Sequence, residues 1–206
     1  PYAALGASYG GYSPYALRSG VLEMLTQAQR NLQAQHPGWR IQVFDAFRPL
    51  AVQQFMVDYT FQELLKARGW IADQLTPEQR QQVLAEVLKF WAIPSSNPAT
   101  PPPHSTGAAL DVTLMDDAGA VVNMGSPIDE VSPRSFPNHF SKSADPHHQL
   151  VHNHRRVLSA VMTAAGFRQH PNEWWHFSLG DQLWAWLVRQ ESGSAEVIAR
   201  YGGIGG

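Results

Sequence analysis

Five prolines fall within eleven residues, from Ile93 to Pro103, and this run constrains the fold more than any other part of the chain. Proline lacks a backbone N–H and fixes φ, so the run excludes both a regular helix and a central strand. We therefore predict a stiff loop. It separates a helical pattern on its N-terminal side from an apolar stretch, residues 108–114, that is typical of a core strand.

Four amphipathic helices are predicted from apolar residues that recur at helical spacing. The first runs from Ser19 to the His36-Pro37-Gly38 breaker, the second from about Pro49 to Ala67, and the last from about Pro146 to Ala165. The third has a clear start, with Thr76 as N-cap and Gln79 completing a capping box. We expect Leu84 of the third helix to face inward, and Leu150 and His154 to lie on the apolar stripe of the last.

Short strands are predicted at residues 40–45, 108–114 and 173–179. They alternate with helices but lie too close in sequence for repeated βαβ units. The expected fold class is therefore α+β, with a small, mainly antiparallel sheet covered by helices. No domain boundary is evident, so residues 1–206 are expected to form a single domain, with an irregular arm at residues 1–18 and a frayed end at residues 201–206.

The composition excludes several classes of function. The chain has no cysteine, which removes disulfides, thiolate zinc sites and cysteine nucleophiles, so a bound zinc ion must use His, Asp or Glu. Fifteen Lys and Arg stand against 17 Asp and Glu, with no basic run, so no nucleic-acid partner is expected. No apolar run reaches the roughly 18 residues that a membrane span needs.

We expect a cytoplasmic protein, but the chain begins at Pro1 without a Met, so a periplasmic or secreted location stays open. The oligomeric state is not determined by the sequence.

Asp111 is the residue whose position is hardest to explain by a purely structural role. It lies within a strand pattern in which Leu110 and Val112 take the opposite face, and strands disfavour Asp. A carboxylate in such a strand is costly unless a cation or several donors meet it. One interpretation is a metal ligand. The alternative is a salt bridge with Arg48 or a cap on a nearby backbone.

His104, Asp111 and His176 together supply two imidazoles and one carboxylate, which are ligands that zinc accepts in a three-ligand catalytic site. Such a site leaves one position open, where the pKa of a bound water falls to about 7. Glu173 lies three residues before His176 and is the natural acceptor of a proton, and Arg48 is the candidate cation for oxyanion charge. The alternative for Glu173 and His176 is a partly buried ion pair in an aromatic core.

The segment from His104 to Asp111 and the run Glu173-Trp174-Trp175-His176 resemble the zinc D-alanyl-D-alanine peptidases, specifically the D-Ala-D-Ala dipeptidases (VanX-like). The resemblance extends over about residues 44–186. It implies that His104, Asp111 and His176 ligate one zinc ion per chain, at a site on the sheet. It also implies that Glu173 is the catalytic base and that Arg48 stabilises the transition state.

Asp129, in a Met-Gly-Ser-Pro-Ile-Asp turn, resembles the family's aspartate that holds the free amino group of the dipeptide. The alternative is that Asp129 only caps this turn or pairs with Arg134. The leading hypothesis is therefore a zinc dipeptidase that hydrolyses D-Ala-D-Ala or a closely related small dipeptide. Two rivals are a D,D- or L,D-carboxypeptidase acting on peptidoglycan stem peptides, and a zinc-binding domain that has lost catalysis.

Overall fold

A computed structural model describes residues 1–204, and in this range it contains five α-helices and four short β-strands. The helices are α1 (Ser19–Gln35), α2 (Leu50–Ala67), α3 (Pro77–Val87), α4 (Pro146–Ala164) and α5 (Gln182–Ser192). The strands are β1 (Arg40–Asp45), β2 (Ala109–Met115), β3 (Arg168–Gln169) and β4 (His176–Ser178). They form one antiparallel sheet in the order β1-β2-β4-β3. The predicted α+β class, with a small antiparallel sheet and helices, is confirmed.

Local sequence signals explain where the helices begin. At the start of α3, the Thr76 hydroxyl accepts from the Gln79 backbone N–H, and the Gln79 side chain accepts from the Thr76 N–H, as predicted. Asp145 caps α4 by accepting from the backbone of His147. The predicted stripe of α1 is confirmed, since its buried residues are Val21, Leu25, Ala28 and Leu32.

Parts of the predicted pattern are wrong. Leu84 is 39% exposed and Leu150 is 52% exposed, so neither faces inward. His154 is partly buried, packs edge-on against Trp39, and is hydrogen-bonded through Nδ1 to Asn123 O (2.9 Å), as expected of a packing residue. The buried residues of α4 are Val151, Arg155, Leu158, Val161 and Met162. The stripe is displaced because Arg155 occupies an inward position where an apolar residue is expected. The strand expected over residues 173–179 is also shorter than predicted, since only His176–Ser178 (β4) form a strand, which pairs with β2 and β3.

Two hydrophobic clusters flank the sheet. The first joins α1 and α4 to one face of β2, which contributes Leu110, Val112 and Leu114. The second joins α2 and α3 to Tyr2 and Trp91. Burial of this apolar surface is the main force that holds the helices to the sheet. The proline-rich segment, residues 93–102, has no helix or strand, as predicted, and carries the chain from the second cluster to β2.

Both terminal segments contact the body of the protein. The N-terminal arm contains one 3-10 turn, Tyr2–Leu5, and the Tyr2 side chain is only 2% exposed. At the end expected to be frayed, the Tyr201 N–H donates to Gly180 O (3.0 Å) and the Ile204 N–H donates to Ser105 O (2.8 Å). Residues 205–206 lie outside the described residues. Over residues 1–204, no helix has the length and apolarity needed to cross a membrane.

Arg155 fixes the long loop between β2 and α4. Its buried guanidinium donates to the carbonyl oxygens of Met124 (2.7 Å), Arg134 (2.8 Å) and Phe136 (2.9 Å). These bonds compensate for the burial of a charged group. They also tie two separated parts of the loop to one helix, so Asp129, which lies between them, is held in place.

Candidate active site

Three polar side chains come together because their strands pair. Asp45 of β1 is the register partner of Asp111 of β2, and Asp111 is the partner of His176 of β4. Cross-strand partners in an antiparallel sheet have Cβ atoms roughly 4.5–5.5 Å apart. Residues on either side of Asp111 point to the opposite face because side chains alternate along a strand. The sheet thus places Asp111 and His176 together although they are 65 residues apart in sequence.

His104 reaches the same point from the end of the proline-rich loop. It lies in a 3-10 turn, Pro103–Thr106, which ends at Gly107 with a left-handed φ of 69°. The His104 Nδ1–H donates to the carbonyl oxygen of Ala46 at 2.6 Å. A proton on Nδ1 leaves Nε2 of the neutral ring with a free lone pair, so this bond prepares His104 Nε2 as a metal ligand.

A second hydrogen bond orients His176. Its Nε2 lies 3.2 Å from the Ser178 hydroxyl. When Nε2–H donates to Ser178, the lone pair is on Nδ1, which faces Asp111 at 3.1 Å. In this tautomer of His176, both histidines present an unprotonated nitrogen to the same carboxylate.

The three facing atoms form a nearly equilateral triangle. His104 Nε2 lies 3.1 Å from His176 Nδ1, and these nitrogens lie 3.3 and 3.1 Å from Asp111 Oδ1. Ligand atoms of a tetrahedral zinc ion, with bonds of about 2.0–2.1 Å, are about 3.3 Å apart. All three residues are buried, with at most 4% of each exposed. The donor set and its spacing therefore fit a zinc ion held by three protein ligands.

The protonation of this group also suits metal binding. Burial acts to raise the pKa of Asp111, but the neighbouring His104 and His176 hold it well below its usual range. Burial lowers the pKa of His176, against the opposing effect of its bond to Asp111. A ligand carboxylate must be ionised and a ligand imidazole neutral, so both shifts favour the metal-binding forms.

Arg48 lies beside the triangle in a dense hydrogen-bond network. Its Nε–H donates to Asp45 (3.0 Å), Nη1 to the Gln53 side-chain oxygen (3.0 Å), and Nη2 to Tyr2 OH (3.0 Å) and Asp111 Oδ2 (3.1 Å). Burial disfavours the charged form, yet the surrounding acidic groups keep the Arg48 pKa above its ordinary value. A guanidinium has five N–H groups, so these four bonds leave one on Nη1 for a ligand. Arg48 is thus a fixed cation.

Glu173 lies on another side of the triangle. Its Oε2 is 3.7 Å from His176 Nδ1, and its Oε1 is 3.8 Å from Nδ1 of His170. The residue is 5% exposed, and burial, followed by the charges of Asp111 and Asp129, raises its pKa well above the usual range. A carboxyl group whose pKa is raised in this way holds a proton more readily than one in water, which suits a group that accepts and returns a proton.

Asp129 is held in an unusual backbone conformation. Its φ of 66° is the only positive value among the non-glycine residues that the structure describes. The Tyr2 hydroxyl donates to Asp129 Oδ2 at 3.1 Å, and burial together with the nearby Asp111 charge raises the Asp129 pKa to about 7. Arg134 lies next to Glu130 instead, with its Nε 3.3 Å from Glu130 Oε1. Strained conformations persist where the surroundings fix them, as at functional sites.

All six site residues predicted from the sequence line one cavity of about 210 Å³. They are Arg48, His104, Asp111, Asp129, Glu173 and His176. Typical ligand pockets have volumes of about 300–1,000 Å³, so this cavity suits a small ligand. The remaining lining includes five residues that sequence reasoning did not assign to the site: Gln53, Lys89, Trp91, His170 and Leu183.

Comparison with known protein families identifies this arrangement. A family model described as D-ala-D-ala dipeptidase, of peptidase family M15, matches residues 1–194. The chain belongs to the D-Ala-D-Ala dipeptidase family. The match covers every residue that lines the cavity, so the six site residues all lie within the part that defines the family.

Curated relatives agree with this assignment to the D-Ala-D-Ala dipeptidases. A D-alanyl-D-alanine dipeptidase of Synechocystis sp. is 50% identical over 211 residues, which cover 99% of this chain and 85% of the relative. The enzyme of the same description from Escherichia coli is 32% identical over 71% of this chain and 58% of its own. One from Enterococcus faecalis is 25% identical over 86% of this chain and 80% of its own.

Solved structures of more distant proteins share the fold of this dipeptidase-family chain. A mutant of the vancomycin resistance D,D-pentapeptidase VanY, in complex with Zn(II), aligns with a TM-score of 0.50 over 86% of this chain and 79% of that one, at 19% identity. VanYB in complex with D-alanine-D-alanine aligns with the same TM-score over 85% and 78% of the two chains. At this identity the likeness supports the α+β fold only.

Proposed function

We propose that this chain is a zinc-dependent dipeptidase that hydrolyses D-Ala-D-Ala or a closely related dipeptide. The observation that carries the proposal is the convergence of a three-atom ligand triangle, a buried acid with a raised pKa and a fixed cation in one small cavity. Membership of the D-Ala-D-Ala dipeptidase family supports the choice of substrate.

His104, Asp111 and His176 would hold the zinc ion. Zinc bound there would act as a Lewis acid and lower the pKa of a water molecule, which supplies a nucleophile at neutral pH. The protein orients the ligands in advance, because Ala46 O fixes the tautomer of His104 and Ser178 Oγ holds the His176 ring at Nε2. Such outer bonds typically contribute 10- to 100-fold to metal affinity.

Glu173 and Arg48 have complementary roles in amide hydrolysis. Glu173 takes a proton from the attacking water and delivers it to the leaving amine, for which its raised pKa is suited. Arg48 directs its remaining N–H toward the oxygen of the scissile carbonyl and shares the negative charge that develops there. Its bonds to Asp45 and Gln53 hold the guanidinium in place before substrate arrives, so little reorganisation is needed.

Asp129 supports a dipeptidase over the carboxypeptidase alternative. It lines the cavity with a carboxyl group whose hydrogen-bond donor is Tyr2, and it can pair with the free ammonium of a dipeptide. A stem peptide continues beyond that position and would leave the carboxylate unpaired. Glu173 and Arg48 are both in place, which disfavours a zinc-binding domain without catalysis. The cytoplasmic location stays a prediction.

Zinc content tests the ligand set directly. We expect the purified protein to hold one zinc ion per chain and the His176→Ala variant to hold none after dialysis, because two ligands alone bind weakly. His147, an exposed histidine on α4, provides the matched control, and His147→Ala should keep its zinc. Metal analysis by mass spectrometry measures both. A protein with all three ligands intact that binds no divalent metal at micromolar concentration would remove the proposal.

Arg48 is best tested by replacement with Lys. Lys keeps the charge but loses the planar fork, so we expect kcat for D-Ala-D-Ala to fall by about 10²-fold while zinc stays bound. Arg48→Ala should in addition destabilise the fold by about 3–5 kcal/mol, because it leaves Asp45 and Asp111 buried without their cation. Steady-state kinetics and thermal denaturation separate the two effects. An unchanged kcat with only a raised KM would assign Arg48 to ground-state binding.

A further inference from the structure

We propose that His170 and Lys89 bind the C-terminal carboxylate of the substrate dipeptide, an inference that rests on the proposed function. Neither residue belongs to the ligand triangle or to the proton-transfer machinery, yet both line the same cavity. Four observations support this assignment: the tautomer of His170, the unpaired charge of Lys89, the way Asn172 connects them, and the position of Glu173.

The backbone fixes His170 as a hydrogen-bond donor. The Asn172 N–H donates to His170 Nδ1 at 3.2 Å, so Nδ1 must be unprotonated and the neutral ring carries its proton on Nε2. Nε2 has no hydrogen-bond partner within residues 1–204, and the side chain is 22% exposed on the cavity. His170 therefore presents an N–H group that a bound acceptor can use.

Lys89 supplies a charge that the protein does not neutralise. It is exposed, lines the cavity, and forms no ion pair with any residue that the structure describes. The other Lys or Arg of the lining is Arg48, whose N–H groups are largely committed to Asp45, Tyr2, Gln53 and Asp111. Lys89 is thus the cation of the lining that remains available to an anionic group.

Asn172 holds the two residues next to each other. Its backbone N–H contacts the His170 ring, and its side-chain Nδ2–H donates to the backbone oxygen of Lys89 at 3.1 Å. This bond joins the segment after α3 to the turn before β4, which lie 83 residues apart in sequence. The segments that carry the donor and the cation are therefore tied together where both line the cavity.

The chemistry of the substrate requires the carboxylate at this end. In a dipeptide, the amide nitrogen and the terminal carboxylate are attached to the same Cα, so the group that protonates the nitrogen must lie beside the group that binds the carboxylate. Glu173 Oε1 lies 3.8 Å from His170 Nδ1. Asp129 is joined through the Tyr2 hydroxyl to Arg48, on the Asp111 side of the triangle, whereas His170 adjoins Glu173 and the His176 ring. The two charged ends of the dipeptide thus meet opposite charges.

A C-terminal amide of the substrate tests the assignment. We expect the wild-type protein to prefer D-Ala-D-Ala over its amide, and the ratio of the two kcat/KM values to fall at least tenfold in Lys89→Met and in His170→Phe. The loss should appear chiefly in KM, with zinc still bound. Lys142→Met, which removes another exposed lysine away from the cavity, is the matched control. Equal losses on both substrates, or no loss, would overturn the proposal.

Calorimetry keeps this test separate from the proposed function. D-Ala-D-Ala and its amide are titrated into the zinc-loaded Glu173→Gln protein, with and without Lys89→Met. A preference for the acid that is lost with Lys89→Met supports the carboxylate site, even if the wild-type protein were found to hydrolyse neither compound. Equal affinities for acid and amide, or no binding of either, would overturn it.

Discussion

Replacing Glu173 with Gln should lower kcat for D-Ala-D-Ala by about 10²- to 10⁴-fold, the usual contribution of a general acid-base group. Gln has nearly the same shape but cannot accept and return a proton. Zinc content should stay at one ion per chain, because Glu173 lies outside the ligand triangle. The measurement is steady-state hydrolysis of the free dipeptide, with metal analysis of the same sample.

The fold should tolerate this replacement well. Burial raises the Glu173 pKa, which means that the folded protein favours the neutral form, and Gln is neutral at every pH. We therefore expect no decrease in Tm, so a loss of kcat cannot be attributed to unfolding. Glu23→Gln, at an exposed position on α1, is the matched control and should leave kcat unchanged. An unchanged kcat in Glu173→Gln would contradict the assigned role.

The candidate ligands could be predicted from sequence because polar residues at these positions would be unfavourable if they had only a structural role. Asp111 stands in an apolar strand, where a carboxylate needs a cation or donors. His176 follows two buried tryptophans at the start of a strand. The pairing of β2 with β4 then brings the two together, and the α+β fold follows from helical and strand periodicities that are strong over most of the chain.

Other residues of the site cannot be recognised from the sequence around them. Tyr2 lies in a glycine-rich arm without periodicity, and its contact with Asp129 joins residues 127 positions apart. His170 has the sequence surroundings of an ordinary turn, since Pro171 and Asn172 follow it. Its donor role depends on the direction of one backbone N–H, which is set by the folded turn and not by residue type.

Arg155 shows why the inward stripe of α4 was misplaced. A sequence pattern assigns a charged residue to the outer face, because an unpaired buried charge is expensive. In the structure, the Arg155 guanidinium donates hydrogen bonds to carbonyl oxygens of the loop between β2 and α4. The sequence predicts only that this loop is irregular. The inward position of Arg155 and the fixed position of Asp129 are therefore one structural feature, and neither can be predicted without the other.

The second large effect concerns the amino end of the substrate. We expect D-Ala-D-Ala to be cleaved at least 10²-fold more efficiently than its N-acetyl derivative, because acetylation removes the ammonium and leaves Asp129 without its partner. Breaking a buried ion pair by removing one partner costs about 3–5 kcal/mol, and protonation of Asp129, whose pKa is about 7, offsets part of this cost, so about 10²-fold in kcat/KM remains. The acetyl group also adds bulk to a cavity of about 210 Å³. Parallel progress curves on the two substrates measure the ratio.

The preference for the free dipeptide should increase with pH between about 6 and 7.5, below the α-amino pKa of about 8. The Asp129 pKa is raised to about 7, so at lower pH the empty site holds a neutral carboxyl group that must lose its proton to pair with the ammonium. Asp129→Asn should lower the ratio of kcat/KM for D-Ala-D-Ala to kcat/KM for its N-acetyl derivative, mainly by slowing cleavage of the free dipeptide. It should also remove the pH dependence of this ratio. Asp117→Asn, in an exposed turn, is the control. Comparable rates on the free and acetylated substrates would instead favour a carboxypeptidase, because an enzyme that accepts an extended chain at Asp129 has no use for a free ammonium there.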